Sequence, residues 1–287
     1  MTSNGYDEEF SAGITAASSV IGPIFPPSIP LIIYGSVASV SVSQLFMGGV
    51  VPGILMAVAL MVLVYIFAVR RKYERTAFNL RLLVQQFFAS VLSIITPLII
   101  LSGFVFGLFT PTEASSVAVG YALVIALFVY RTLDWKTFKQ CLLESAITSA
   151  NTLFIIGTSM LFSYVLIKEG VSAQMAGFIL GISDNPYLIL LVINVLLLVL
   201  GMFMEPGAIL TLMLPVLLPI VKALQIDLVH FGVVMILNLM IGQVTPPFGV
   251  CLFIIGDVSK VSLNKMYKAI LPFIIPLVIV LFMCTYI

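Results

Sequence analysis

The sequence predicts an all-α polytopic membrane protein with an inverted repeat, broken helices and a re-entrant hairpin. Three observations carry that prediction. The 287 residues are 61% hydrophobic and only 9% charged, with a mean hydropathy of +1.23. A soluble domain is about 45–50% apolar and about 25% charged, so the bilayer is the relevant solvent. The apolar residues fall into about nine segments, most of them long enough to cross a bilayer core. Two of those segments are interrupted by Pro-Pro, at Pro26-Pro27 and Pro246-Pro247, a fixed distance apart.

The same composition excludes other classes. Lys+Arg 13 against Asp+Glu 12 leaves a net charge of +1, with no basic block able to neutralise a phosphate backbone, so no nucleic acid partner is expected. One His and three widely spaced Cys (Cys141, Cys251, Cys284) form neither a zinc set nor a disulfide framework. No His/Asp/Glu/Ser constellation lies at matching depth, so an enzyme is not expected.

In chain order, the candidate spans are 12–34, 46–69, 87–108, 113–130, 146–167, 187–203, 208–224, 230–255 and 269–287. The stretch 172–183 is too short to cross and is expected near an interface. The arms 187–203 and 208–224 are marginal in length and are separated only by Met204-Glu205-Pro206-Gly207. They suit a re-entrant hairpin as well as two full spans. The excess of Lys and Arg on cytoplasmic loops sets the orientation. Placing the turn Arg70-Arg71-Lys72-Tyr73-Glu74-Arg75 inside puts eleven of the thirteen basic residues inside, leaving Lys168 and Lys222 outside. The N-terminus is then cytoplasmic and the C-terminus lies on the opposite side.

Residues 6–51 align with 226–272 at an offset of 220, which becomes 221 after one gap. The identities include Asp7/Asp227, Gly22/Gly242, Pro26/Pro246, Pro27/Pro247, Gly35/Gly256 and Ser41/Ser262. The charge-derived topology runs the two copies in opposite directions, an architecture found in many secondary transporters. Three regions follow: 1–53 ends a first repeat, 54–145 connects, and 146–287 forms the second repeat, with hairpin 187–224 and broken helix 230–255. The second repeat carries a hairpin before its Pro-Pro helix and the first does not, so the chain is expected to be the C-terminal portion of a longer protein.

Pro-Pro in mid-membrane removes two backbone donors and breaks the helix, freeing carbonyls that must face protein, water or a ligand. Such breaks suit Na⁺, through carbonyls such as those of Gly22 and Gly242 and hydroxyls of Ser18, Ser19, Ser28 and Thr245. The structural alternative is a kink satisfied by neighbouring helices. Glu205 puts a carboxylate at membrane depth, which is costly and points to function by default. The helix starting after it offers N–H groups to an anion, while Glu205 could equally cap that helix. Thr211, further along the second arm, is read as lying away from the break. Thr110-Pro111-Thr112-Glu113 reads as a helix start, with Thr112 beside Glu113 in its first turn. His230 and Trp135 read as interfacial residues.

The stretches AASSVIGPIFPPSIPLIIYG (16–35), LFMGGVVPG (45–53), GLFTPTEASSVAVGYAL (107–123), MFMEPGAILTLMLPVLLPI (202–220) and IGQVTPPFGVCLFI (241–254) together resemble the large membrane subunit (M, DctM-type) of tripartite ATP-independent periplasmic transporters. The resemblance implies an elevator-type secondary transporter in a bacterial inner membrane. It implies Na⁺-driven uptake of a carboxylate-bearing organic acid, with a periplasmic substrate-binding protein and a small four-helix membrane subunit as partners. It further implies Na⁺ sites at Ser18, Ser19 and Gly22 and at the 205–208 tip with Gly242 and Thr245. Substrate contacts are implied at Glu205, Pro206, Gly207 and Ala208 and at Pro26, Pro27 and Ser28. A non-transporting fragment, or an inverted-repeat carrier or channel that needs no binding protein, are the other readings.

Overall fold

The computed structural model describes residues 1–2, 5–73, 79–105, 109–181 and 185–287. Glu74 and Arg75 of the basic turn, Gly107 and Leu108 of the family-like stretch, and residues 182–184 lie outside them. The described chain is helical throughout, in the order α1 (Glu8–Ser19), α2 (Ile29–Ala38), α3 (Val42–Arg70), α4 (Leu80–Val105), α5 (Pro111–Val124, extended by one π-helical turn), α6 (Trp135–Lys168), α7 (Val171–Leu180), α8 (Pro186–Phe203), α9 (Pro206–Ala223), α10 (Leu228–Gly242), α11 (Val250–Ser259) and α12 (Leu263–Tyr286). Among the described residues, six helices are long and apolar enough to cross a membrane, or seven if the bent pair Leu80–Phe88 and Ser90–Gly103 is one span. The protein is a multi-span membrane protein.

The chain forms two compact units, Met1–Glu74 with Ile155–Ile287, and Arg75–Phe154. In the second unit α4 packs on α5, and Tyr121 on α5 donates to the Leu92 carbonyl on α4 (3.1 Å). The cap of α5 is Thr110, with Pro111, Thr112 and Glu113 in its first turn as expected. The Thr110 hydroxyl accepts the Glu113 N–H while Glu113 takes the Thr110 N–H (2.8 Å), a reciprocal box that satisfies two free donors.

In the first unit α10 is the axis. Every residue from Phe231 to Gly242 is buried, which fits a helix that is apolar all round. It is packed by α8, α2, α3, α9 and α12. The two aligned segments repeat the same order of elements: helix, break, ten-residue helix, long helix. Asp7 and Asp227 stand at equivalent N-caps, with φ/ψ of −56°/140° and −60°/131°. Both Pro-Pro bonds are cis. Ser39 and Lys260, 221 apart, both end the short helix in the left-handed region, at φ 57° and 58°. Ser41 and Ser262 then cap the long helices. The packing is exchanged between copies as well, because α1 lies on α11 and α12 while α10 lies on α2 and α3.

Polar contacts mark the two ends of this unit. At one end Arg71 pairs with Asp7 (2.5 Å) and stacks over Phe10 and Phe67, and Lys265 pairs with Glu9 (2.9 Å). At the other, His230 Nε2 lies 2.7 Å from the Cys284 carbonyl, and the Tyr286 hydroxyl donates to the Tyr187 carbonyl (3.1 Å).

Candidate functional site

The first break spans residues 20–28. Ser28 closes it: its hydroxyl donates to the Pro23 carbonyl and accepts the Leu31 N–H (3.2 Å), so it caps α2. Ser28 and Pro26 are buried while Pro27 is exposed, so the Ser28 hydroxyl is fully engaged in holding the loop. Ser18 and Ser19 donate to carbonyls one turn back, Thr15 (3.2 Å) and Ala16 (2.8 Å), which leaves oxygen lone pairs available. Ser19 also meets the Cys251 thiol at the start of α11. Gly22 is exposed, and a methyl there would find ordinary contact only, with Ser19 O at 3.8 Å.

The second break, 243–249, is closed on the equivalent carbonyl. Cys251 N–H donates to the Gln243 carbonyl (3.2 Å), at the position related to Pro23 by the 220-residue offset. Gly249 has φ +48°, and a Cβ there would sit 2.9 Å from the Gln243 oxygen and 3.1 Å from the Thr245 oxygen. Two carbonyl oxygens thus lie close beside the Gly249 backbone, where only glycine leaves them room. Thr245 donates its hydroxyl to the Ile241 carbonyl (2.7 Å), and its N–H goes to the Gly242 carbonyl (3.0 Å). Gly242 itself packs backbone to backbone against Gly201 of α8, its imagined Cβ falling 2.7 Å from the Gly201 Cα.

The tip between α8 and α9 is seated on this second break. Gly249 N–H donates to the Met202 carbonyl (3.1 Å), and the Phe203 and Phe248 rings lie 5.3 Å apart. Glu205 is the N-cap of α9, one carboxylate oxygen accepting the Ala208 N–H (3.0 Å). Pro206 and Gly207 are buried and Ala208 is half-buried. Thr211 is not remote from the tip: its hydroxyl donates to the Gly207 carbonyl (2.9 Å), so it braces the first turn of α9. The arms diverge from the tip, α8 lying along α10 and α9 along α2 and α7. The structure therefore joins Glu205–Ala208, Gly242 and Thr245 through Gly201, Met202 and Gly249, and reaches the Ser19 end of α1 through Cys251.

Sequence reasoning missed Gln243, Gly249 and the buried amides Asn194 and Asn238. The signal for the amides was present, a single Asn in each of the apolar runs LLVINVLLL and VMILNLMIG. Such a group is tolerated in an apolar pack only when it finds a partner.

Helices long enough to span, two matched breaks and a capped tip seated on one of them define a polytopic membrane protein with an internal repeat around a polar centre. The family model described as the DctM component of the tripartite ATP-independent periplasmic transporter matches residues 1–287. The chain belongs to that family. It is 42% identical over 287 residues to the sialic acid TRAP transporter permease protein SiaT of Haemophilus influenzae, an alignment covering 99% of this chain and 46% of that one. It is 42% identical over 280 residues to the sialic acid TRAP transporter large permease protein SiaM of Vibrio cholerae, covering 96% and 65%. It is 38% identical over 288 residues to the C4-dicarboxylate TRAP transporter large permease protein DctM of Pseudomonas aeruginosa, covering 100% and 67%. The chain thus spans about half to two thirds of the length of these relatives.

Proposed function

We propose that this chain forms part of the large permease of a tripartite transporter in a bacterial inner membrane. It takes up a carboxylate-bearing solute in symport with Na⁺, the solute arriving on a periplasmic binding protein and the permease working with a small four-helix membrane subunit. Family membership and the names of the relatives support the transporter class and the anionic solute. The observation offered for the ion coupling is that the Gln243 and Thr245 carbonyls lie together beside Gly249, whose N–H joins the break to the capped tip. Carbonyl and hydroxyl oxygens are hard donors of the kind an alkali cation takes. The repeats are read as inverted, with the N-terminus cytoplasmic and the C-terminus periplasmic, the arms 187–224 as a re-entrant hairpin, and transport as an elevator-type displacement of the unit that bears the breaks.

Of its two implied roles, ion and solute, Glu205 takes the first in this reading. Its carboxylate already occupies the positive end of α9, so a second anion at that end meets like charge at short range. The cap therefore fits a cation near the tip better than direct contact with a carboxylate solute. Pro26, Pro27, Pro206, Gly207 and Ala208 serve the solute by shape and backbone. Ser18, Ser19 and Gly22 offer hydroxyl and carbonyl oxygens at the first break, and Gly242 and Thr245 at the second.

Thr245→Val tests the ion site. It keeps the shape and removes one hydroxyl oxygen, so the half-saturating Na⁺ concentration for uptake in proteoliposomes should rise, with most of the rate recovered at high Na⁺. Thr152→Val is the control, because that hydroxyl is bonded within its own helix, to the Thr148 carbonyl (2.9 Å). An unchanged Na⁺ dependence in Thr245→Val removes that side chain from the site.

A further inference from the structure

Three buried polar side chains, each on a different helix, meet in the interior of the first unit. Asn194 on α8, Asn238 on α10 and Thr285 on α12 are 1%, 0% and 2% exposed. The Asn238 amide donates to both the Asn194 carbonyl (2.9 Å) and its side-chain oxygen (2.8 Å). Asn194 donates in turn to the Thr285 hydroxyl (3.1 Å), which donates to the Leu281 carbonyl (2.8 Å). Asn238 Oδ1 accepts from none of the described residues, so this amide is held through its donor side alone.

We propose that Asn194 and Asn238, backed by Thr285, are positioning residues: they lock the register of α8 on α10 and so place the tip on the second break. The need for a lock follows from the sequence of α8, LILLVINVLLLVLG. From Leu188 to Leu200 its apolar side chains are nearly interchangeable, so along that length sliding by one turn, about 5.4 Å, exchanges one Leu or Val contact for another, Gly201 on Gly242 being the one close fit beyond it. The amide pair is different. A one-turn slip takes Asn194 out of reach of Asn238 and leaves two amides unpaired in an apolar interior, as a single buried Asn fixes register in coiled coils. Two turns along α8 from Asn194 lie Gly201 and Met202, the residues that meet Gly242 and Gly249. The same register therefore sets both ends of that path.

The proposal rests on the ion-site reading only for its effect on transport, and the primary test is independent of transport. Phe203 and Phe248 are exposed and their rings touch, so cysteines at both positions report the seating of the tip. The experiment uses the 287-residue chain in nanodiscs, with Cys141, Cys251 and Cys284 replaced by Ala. Asn194→Leu and Asn238→Leu should each slow oxidative cross-linking by about fivefold or more, and the double variant should be no slower than either, the mark of residues acting as one pair. Thr285→Val, which leaves the amide pair intact, should change the rate by less than about twofold. Where a Leu variant does not elute as a single species, Asn238→Ala repeats the test without added apolar bulk. Rates that stay near the parent's, or single losses that multiply in the double variant, overturn the lock. In the native transporter the Leu variants should also raise half-saturating Na⁺. Slowed cross-linking with unchanged Na⁺ dependence supports the lock and overturns instead the assignment of the tip to the ion site.

Discussion

The sharpest physical contrast lies between two repeat-related glycines. Gly242→Ala adds a methyl 2.7 Å from the Gly201 Cα, 2.8 Å from its carbonyl carbon and 3.2 Å from the Leu198 oxygen. All three are backbone atoms, so no side-chain rotation relieves the overlap. Restoring ordinary contact, which begins near 3.4 Å, requires α8 and α10 to part by 0.7 Å or more (3.4 less 2.7). Overpacking of this kind costs about 1–3 kcal/mol, against about 1 kcal/mol returned by the better helix propensity of Ala. The net is a loss of up to about 2 kcal/mol, which lowers the melting temperature by up to about 5 °C. Gly22→Ala has the opposite sign. Its new methyl meets only Ser19 O at 3.8 Å. Its φ is ordinary, so the smaller freedom of the unfolded chain stabilises by about 0.4–1 kcal/mol. Thermal melts in detergent, followed by circular dichroism at the helical band, decide the matter. A Gly242→Ala melt indistinguishable from the parent's, or equal losses in both variants, refutes the backbone contact between α8 and α10.

Three further outcomes are expected. Glu205→Ala should cost about 0.5–2 kcal/mol of stability through loss of the α9 cap. Glu205→Gln keeps an acceptor for the Ala208 N–H and should melt near the parent while transport falls, and equal melts for Ala and Gln would leave the cap without weight. Asp7, accepting from the Tyr73 hydroxyl and paired with Arg71, has its carboxyl held below the ordinary carboxylate value. A depressed folded-state value contributes stability above the ordinary carboxylate range, lost as pH falls through that range and below it, so Asp7→Asn should flatten the acid limb of a stability profile. Finally, a thiol probe at Gln225 should be labelled from the periplasmic side and one at Lys72 should not, and the reverse pattern removes the proposed orientation.

What the sequence made legible was local. A Pro-Pro pair breaks a helix through the two donors it lacks, and Ser28, Ser41, Glu205 and Asp227 at caps accept N–H groups three residues away. Such features are written within a few positions, and an offset of 220 aligns them without knowledge of the fold. The start of α5 was legible in the same way, Glu113 standing three residues after the capping Thr110. Packing was not legible in the same way. α10 is buried on every side, so its apolar pattern has no polar face from which to read which helix lies where. The contact of Asn194 with Thr285 spans 91 residues, and that of Gly201 with Gly242 spans 41. Thr211 shows the same limit at short range, since only the path of the first turn of α9 reveals that its hydroxyl serves Gly207.

The repeat share their breaks but not the faces beside them, and that difference decides where function should be sought. At the offset of 220, Asn238 corresponds to Ser18 and Gly242 to Gly22. In the second copy this face carries α8, with an amide bridge at one level and touching backbones a turn beyond. In the first copy the same face is exposed among the described residues, its Ser18 hydroxyl turned back onto its own helix. The Ser18 hydroxyl bonds within its own helix and keeps lone pairs for a further partner, whereas a buried amide must be paired across helices, so the two positions obey different physics despite their common place in the repeat. Substitutions at Ser18 and Ser19 therefore probe ligand chemistry with little effect on folding. Substitutions at Asn238 and Gly242 act first on how α8 sits, and reach the ion only through the tip.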